Sequence, residues 1–361
     1  MIDRILLFPY ALTLRLRHLF YDKGWKKSSA PEVPSICVGN ITAGGTGKTP
    51  HTEMILRTLL ASDRWGYSNI AVLSRGYKRS SKGFQKVPWD GSADLYGDEP
   101  VQIAKKFPVV TVAVDKDRVE GCRFLCHPDE LETDKKARRC KDKNVPKADI
   151  IVLDDAFQHR ALRPRVNIVL VDFNRPLYKD RLLPLGRLRD LPSRIRKADI
   201  VIVTKCPSYM DEWERAKWRE KLGLRREQHL FFTTIRYKPM EPVFEEADTR
   251  FMYAKRLTLF TGIAKDAALR NYLSDNYQIV KHFSFPDHHK YNRGDLRTIG
   301  RAIKACPIAL LCTTEKDAAR IKDNKRTSLE IKRRLFQIPI EVAFLEDGEK
   351  EQFEKTLLGL L

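Results

Sequence analysis

The sequence predicts an α/β protein: a parallel sheet with helices on both faces, followed by a smaller C-terminal α/β domain. Three observations predict it. Short β-branched runs alternate with helical patterns from Ser35 onward, a glycine-rich segment follows the first run and opens a helical pattern, and a second strand–helix series begins with Leu230 to Ile235. Alternation of this kind buries strands on both faces and needs crossover helices, which is how parallel sheets are assembled.

The first 25 residues stand apart. Leu12, Leu16, Leu19 and Phe20 recur at helical spacing while Arg15, Arg17 and His18 supply basic positions, the pattern of an amphipathic helix. Its longest apolar stretch, Ile5 to Leu12, contains Pro9 and falls far short of the ~20 residues of a membrane span. A helix lying on a membrane surface and a helix packed on its own domain both fit the pattern at this point.

Strands are predicted at Ser35 to Val38, Asn69 to Leu73, Val109 to Val114, Asp149 to Leu153, Asn167 to Val171 and Asp199 to Thr204. The charged stretch Asp129 to Lys147 interrupts them and is expected to be an exposed, mobile insertion. After Leu230 to Ile235 come strands at Leu257 to Thr261, Gln278 to Phe283, Ile308 to Thr313 and Ile340 to Phe344. The expected domains are the surface helix at 1–25, a core domain at 26–235 and a smaller domain at 236–361, with the last helix placed to pack back on the core.

Composition narrows the class of partner. With 42% apolar and 32% charged residues the chain is ordinary for a folded protein, but its net charge of +20 favours polyanions: nucleic acid, anionic lipid or phosphorylated substrates. Seven scattered cysteines suit a reducing, intracellular compartment. Cys122, Cys126 and Cys140 lie near His127 but lack paired C-x-x-C spacing, so they are expected to be free thiols.

The strongest motif is Gly39-Asn40-Ile41-Thr42-Ala43-Gly44-Gly45-Thr46-Gly47-Lys48-Thr49-Pro50. A strand, a glycine loop and a helix N-terminus aim backbone N–H groups at phosphate oxygens, as in the P-loop NTPases. In this reading Gly44, Gly45, Thr46 and Gly47 wrap a nucleotide polyphosphate, Lys48 reaches its β and γ phosphates, and Thr49 ligates magnesium. Thr42 departs from the usual first glycine. A triphosphate site also needs a carboxylate for magnesium at a neighbouring strand end, and Ile150 to Asp155 supplies two, Asp154 and Asp155.

Further polar blocks sit at strand ends or in loops: Ser74-Arg75-Gly76-Tyr77, Gly97-Asp98-Glu99-Pro100 and Gln158-His159, then Leu183 to Arg189, Phe285-Pro286-Asp287-His288-His289 and Thr313 to Ala318. Each alone reads as a cap, a turn or a surface ion pair. In this order the set resembles the tetraacyldisaccharide 4'-kinase family, whose blocks GNITAGGTGKTP, LSRGY, GDEP, LDDAFQH, LLPLGRLR, FPDHH and TTEKDA it matches. Arg187 stands where that family commonly has proline, and Ala156-Phe157 where it commonly has glycine and a smaller apolar residue.

The resemblance implies ATP- and Mg²⁺-dependent transfer to the 4'-hydroxyl of a tetraacylated glucosamine disaccharide 1-phosphate, the lipid A disaccharide precursor. It implies a peripheral protein on the anionic cytoplasmic face of a bacterial inner membrane, with a site in the cleft between two domains. By the same resemblance Asp98 is the general base, supported by His288 or His289, and Asp155 with Thr49 holds magnesium. Gln158 and Arg189 lie near the nucleotide, Arg75 steadies a phosphate and Asn40 belongs to the substrate side. No nucleic acid and no obligate protein partner are expected. The competing class, a P-loop ATPase with a basic nucleic-acid surface, would need a recognition module that the sequence lacks. Asp287-His288-His289 also resembles a phosphoesterase motif, but such sites need further aspartate blocks and have no use for Lys48-Thr49.

Overall fold

The structure is a computed structural model that describes residues 2–263, 265–287, 289–322 and 324–361, with side chains from Leu7 onward. It divides into two compact units, one of residues 1–236 with 342–361 and one of residues 237–341.

In the first unit, helix α1 (Ile2–Asp22) precedes strand β1 (Ser35–Asn40) and helix α2 (Lys48–Leu60). There follow β2 (Ile70–Ser74), β3 (Gln85–Lys86), α3 (Ala93–Tyr96), α4 (Asp98–Lys106), β4 (Thr111–Val114), α5 (Arg118–Cys126) and α6 (Glu130–Thr133). Next are β5 (Ile150–Asp154), β6 (Val166–Asp172), β7 (Ile200–Thr204), α7 (Glu212–Leu222) and β8 (His229–Tyr237). The chain's last strand, β14 (Ile340–Phe344), and last helix, α12 (Glu349–Leu360), return to this unit. The sheet order is β14-β8-β7-β6-β1-β5-β2-β4-β3, with parallel pairing from β8 across to β4 and β3 antiparallel at the edge.

β1 therefore lies between strands reached by crossovers in opposite directions, β5 on one side and β6 on the other. In open parallel sheets such a switch point leaves a crevice at the carboxyl ends of the strands. Every residue of β1, β2, β5 and β7 is buried. Along β1 the strand period splits the side chains: Cys37 joins one core with Leu73 and Leu153, and Ile36 and Val38 join the other with Ile55, Leu56 and Val152.

The second unit holds a five-stranded sheet in the order β11-β10-β12-β13-β9. Its strands are β9 (Glu241–Pro242), β10 (Arg256–Thr261), β11 (Gln278–Ser284), β12 (Leu310–Thr314) and β13 (Leu335–Ile338). Helices α8 (Ala267–Ser274), α9 (Arg293–Ala305), α10 (Glu315–Lys322) and α11 (Leu329–Arg334) accompany them. Leu257, Leu259, Leu269, Leu273 and Phe336 share one core cluster, and Phe260, Leu296, Ile299 and Leu335 share another.

The stretch from Asp129 to Lys147 corrects the sequence expectation. It is anchored: Leu131, Ala137, Cys140 and Val145 are buried in the core with Cys122, Phe124 and Cys126, and Arg123 pairs with Glu130 and Asp134. Its charged residues face outward around a thin apolar seam, and charge density hid the seam. The cysteines are free thiols, and burial pushes those of Cys122 and Cys126 up, so they remain protonated. His127 pairs with Glu32 at 2.8 Å.

A Cβ added at Gly39 would lie 2.5 Å from the Phe157 Cβ. Gly39 thus lets the strand pass close under the loop that follows β5. Gly39→Ala is expected to cost about 1–3 kcal/mol of stability. A thermal melt with an unchanged midpoint would show that Phe157 yields freely.

Candidate active site

The glycine loop is pinned from behind. Lys205 donates to the Gly45 carbonyl, the Thr204 hydroxyl to that of Thr46 at 2.9 Å, and His51 Nδ1 to that of Gly47 at 2.7 Å. Burial pulls His51 down to about 4, so the ring is neutral; Nδ1–H donates and Nε2 accepts from Thr233 at 2.9 Å. Lys205 is itself anchored on Asp172 at 2.9 Å. With three successive carbonyls turned inward, and Gly44 and Gly47 both at φ +88°, the N–H groups of Gly45, Thr46 and Gly47 meet no acceptor among the described residues. Such a nest at the start of α2 binds anions.

The segment 187–189 runs antiparallel along the same loop. Ala43 N–H donates to the Arg187 carbonyl, Arg189 N–H donates to that of Ile41, and Thr42 bridges Leu188. This brings the Arg189 guanidinium onto both oxygens of Asp155 and onto the side chain of Asn40. Asn40 is completely buried, donating to Thr46 at 2.6 Å and accepting from Arg189; its carbonyl accepts from Gln158. Asn40, expected on the substrate side, thus sits behind the glycine loop, with its side chain taken up by Thr46 and Arg189 and its carbonyl by Gln158.

The two aspartates at the end of β5 have opposite surroundings. Burial raises Asp155 less than Lys48, 3.8 Å away, and Arg189 lower it, so its carboxyl sits below the usual range. Its carbonyl accepts from the buried Arg118 at 3.0 Å. Asp154 is 1% exposed; burial, followed by the charges of Glu99 and Asp155, drives it well above the ordinary value. Ser74 donates to its Oδ2 at 3.2 Å, while Oδ1 has no hydrogen-bond partner among the described residues. That orphaned oxygen in a buried carboxylate suits a cation. Thr49, buried at the second position of α2, and Lys48, at the first, lie on the same loop-to-helix junction.

Two more predicted blocks pack together beside β2. A Cβ on Gly97 would meet the Gly76 backbone at 3.2 Å, and one on Gly76 would meet the Tyr96 carbonyl at 2.8 Å. Gly97, at φ +98°, is the N-cap of α4, so Asp98 is its first helical residue and not the cap. Arg75 is exposed at the end of β2, and its charge acts on Arg118.

In the second unit, His289 Nε2 lies 2.8 Å from Asp295, and its ring stacks on Phe285 at 4.6 Å. His288 lies outside the described residues. Asp317 of the Thr313 to Ala318 block is fully buried; it accepts from Gly262 N–H at 2.9 Å and the Thr314 hydroxyl at 2.7 Å, and pairs with Arg320.

Among the described residues there is no group of three or more His, Cys, Asp or Glu side chains placed to hold a metal. The pinned nest, its lysine and the neighbouring carboxylates, set at the switch point of a parallel sheet, define the class: a P-loop nucleotide-binding protein. Residues 4–361 match the model of the tetraacyldisaccharide-1-P 4'-kinase family, and the chain belongs to that family.

Two relatives carry the name tetraacyldisaccharide 4'-kinase at comparable lengths. That of Parabacteroides distasonis is 40% identical over 97% of this chain and 92% of its own, and that of Phocaeicola vulgatus is 38% identical over 96% and 91%. Among solved structures, an "apo" form of LpxK from Aquifex aeolicus in complex with ATP is similar over 99% of both chains, with a TM-score of 0.69 and 27% identity.

The raised Asp154 yields a pH prediction. In the folded protein Asp154 holds its proton to higher pH than in the unfolded chain, so its contribution to stability falls as pH rises from the ordinary carboxylate value through the raised one. Asp154→Asn removes that loss. Without magnesium and nucleotide, the variant is expected to melt a few degrees above the parent at about pH 8, the gain shrinking as pH falls toward the ordinary carboxylate range. A pH-independent difference would show that Asp154 is not the titrating group.

Proposed function

We propose that this chain transfers the γ-phosphate of ATP to the 4'-hydroxyl of a tetraacylated glucosamine disaccharide 1-phosphate. The observation that carries the proposal is the nest of Gly45, Thr46 and Gly47, turned outward by Lys205, Thr204 and His51, in a chain of this family. Lys48 exchanges its loose pair with Asp155 for the β and γ phosphates. Arg118 and Arg75 add positive charge on the same side, where the transferring group accumulates negative charge.

Magnesium fits the residues present, and the geometry favours Asp154 over Asp155 as its carboxylate, with Thr49 as the hydroxyl. Asp154 offers the unpaired buried oxygen, whereas both oxygens of Asp155 are engaged by Arg189. When bound, the ion neutralises charge on the transferring phosphoryl group. Asp98 takes the proton of the acceptor hydroxyl, and the family motif gives His288 or His289 the task of supporting it. Localisation at the anionic cytoplasmic face of the inner membrane belongs to the same reading. No helix among the described residues is long and apolar enough to cross a membrane. Instead α1 leaves Phe8, Leu12, Leu16 and Leu19 exposed.

Incubation with labelled ATP, magnesium and a lipid A disaccharide precursor tests the reaction; label absent from lipid defeats it. Lys48→Ala is expected to abolish turnover while the fold persists, because the γ-phosphate loses its cation in the transition state. Full activity in that variant would remove the glycine loop from the chemistry. Asp98→Ala is expected to lower kcat by about 10²- to 10⁴-fold with little change in the KM for ATP. Combining it with His289→Ala should give much less than the product of the two losses if the groups act as a unit. Near-normal kcat with reduced heat stability would mark Asp98 as a structural residue of α4.

A further inference from the structure

Helix α1 has two working faces. At about 100° per residue, Phe8, Leu12, Leu16 and Leu19 share one side, all exposed, while Tyr10, Leu14, Arg17, His18 and Tyr21 share the opposite side. The inner side is tied to the first unit by specific polar bonds. Tyr10 donates to the Arg189 carbonyl at 3.1 Å and Arg17 to the Gln158 carbonyl at 2.8 Å. His18 is buried; Arg160 donates to its Nδ1 at 3.2 Å, which leaves Nε2–H to donate to Asp190 at 2.6 Å. Arg160 is held in turn by Asp22 at 2.9 Å.

The two loops seized this way are the ones that brace the nucleotide site. Gln158 and Arg189, whose backbones α1 grips, converge through their side chains on Asn40, and Arg189 continues to Asp155. The outer face has a matching environment: exposed Arg15 flanks the apolar stripe on the helix, and exposed Lys23, Trp25, Lys26 and Lys27 follow directly after its end, a combination complementary to an anionic bilayer surface.

We propose that α1 couples docking on an anionic lipid surface to the geometry of the nucleotide site, with Arg17, Tyr10 and His18 as positioning residues. The coupling rests on the nucleotide-site and membrane readings above and adds to them a link between the two. A single helix in water is marginally stable, so α1 is ordered by its inner-face bonds alone until its outer face is buried. Lipid that buries Phe8, Leu12, Leu16 and Leu19 stabilises the helix in its seated position and, through Gln158 and Arg189, the brace on Asn40. Linkage is reciprocal: a surface that tightens nucleotide must be gripped more tightly when nucleotide is bound.

The test uses the full chain, a fluorescent non-hydrolysable ATP analogue with magnesium, and vesicles of phosphatidylglycerol and phosphatidylethanolamine that contain no acceptor. Vesicles are expected to lower the analogue's Kd about five-fold or more, and saturating analogue to strengthen vesicle sedimentation by the same factor. Arg17→Gln is expected to sediment with vesicles as the parent does but to show one Kd with and without them, with Arg17→Lys restoring part of the ratio. Phe8→Ser with Leu12→Ser is expected to keep the vesicle-free Kd and lose sedimentation and the shift together. A merely structural role for Arg17 would move both Kd values and leave their ratio alone.

A parent Kd indifferent to vesicles, or a full vesicle effect in Arg17→Gln, overturns the proposal. So does a parent that fails to sediment, which would also remove the membrane reading. Phosphate transfer to the acceptor in detergent micelles is scored separately: if it is intact while the vesicle effect is absent, this inference alone fails.

Discussion

Asp155 stands where three segments meet: the end of β5, the glycine loop through Lys48, and the segment that carries Arg189. Its backbone is in the left-handed region at φ +54°, which a non-glycine residue adopts only when its surroundings over-determine it. Here they do. The carboxylate is forked by Arg189, its carbonyl is held by Arg118, and its own N–H donates to Val38 of β1. Bidentate arginine–carboxylate pairing fixes direction as well as distance, so this pair ties the segment that carries Arg189, and the loop paired with it, to the end of β5.

The neighbouring Asp154 shows the opposite use of the same side chain. One peptide further back, buried and beside Glu99 and Asp155, it keeps one oxygen, Oδ1, that meets no hydrogen-bond partner among the described residues. Two adjacent carboxylates are thereby split into one satisfied by the protein and one left wanting a positive charge, a division seen wherever environments push paired acids apart.

The central strands β1, β2, β5 and β7 were legible because each is a largely apolar run buried along its whole length, so hydrophobicity marks it. β3 and β9 were not, being two residues long with no room for a pattern, and β13 adjoins α11 without a turn residue to separate them. The charged stretch after Asp129 misled because Leu131, Ala137, Cys140 and Val145 are too irregularly spaced to form a period. Within the site, the glycines, Lys48 and the aspartates were legible because phosphate chemistry demands those types at that spacing. Gln158 and Arg189 came through the family's blocks. Thr204, Lys205, His51 and Arg118 carried no local signal: what they do depends on the order of strands in the sheet, which joins Thr204 to Thr46 across 158 positions of sequence. Asn40 was recognised as part of the motif, but its burial against Arg189 depends on that same long-range folding.

The first unit is discontinuous, and this sets an order on how the chain comes to rest during synthesis. Phe231 of β8 packs edge-on against Phe353 of α12 at 5.3 Å, and the Phe232 N–H is capped by Glu349 at 3.0 Å. Both partners emerge from the ribosome only after the whole second unit. Until then the β8 edge of the larger sheet lacks its closing strand, and an aromatic surface stands bare at a growing border. The inserted unit is thus also a delay: the glycine loop and its bracing strands have left the ribosome well before the residues that close this border are made.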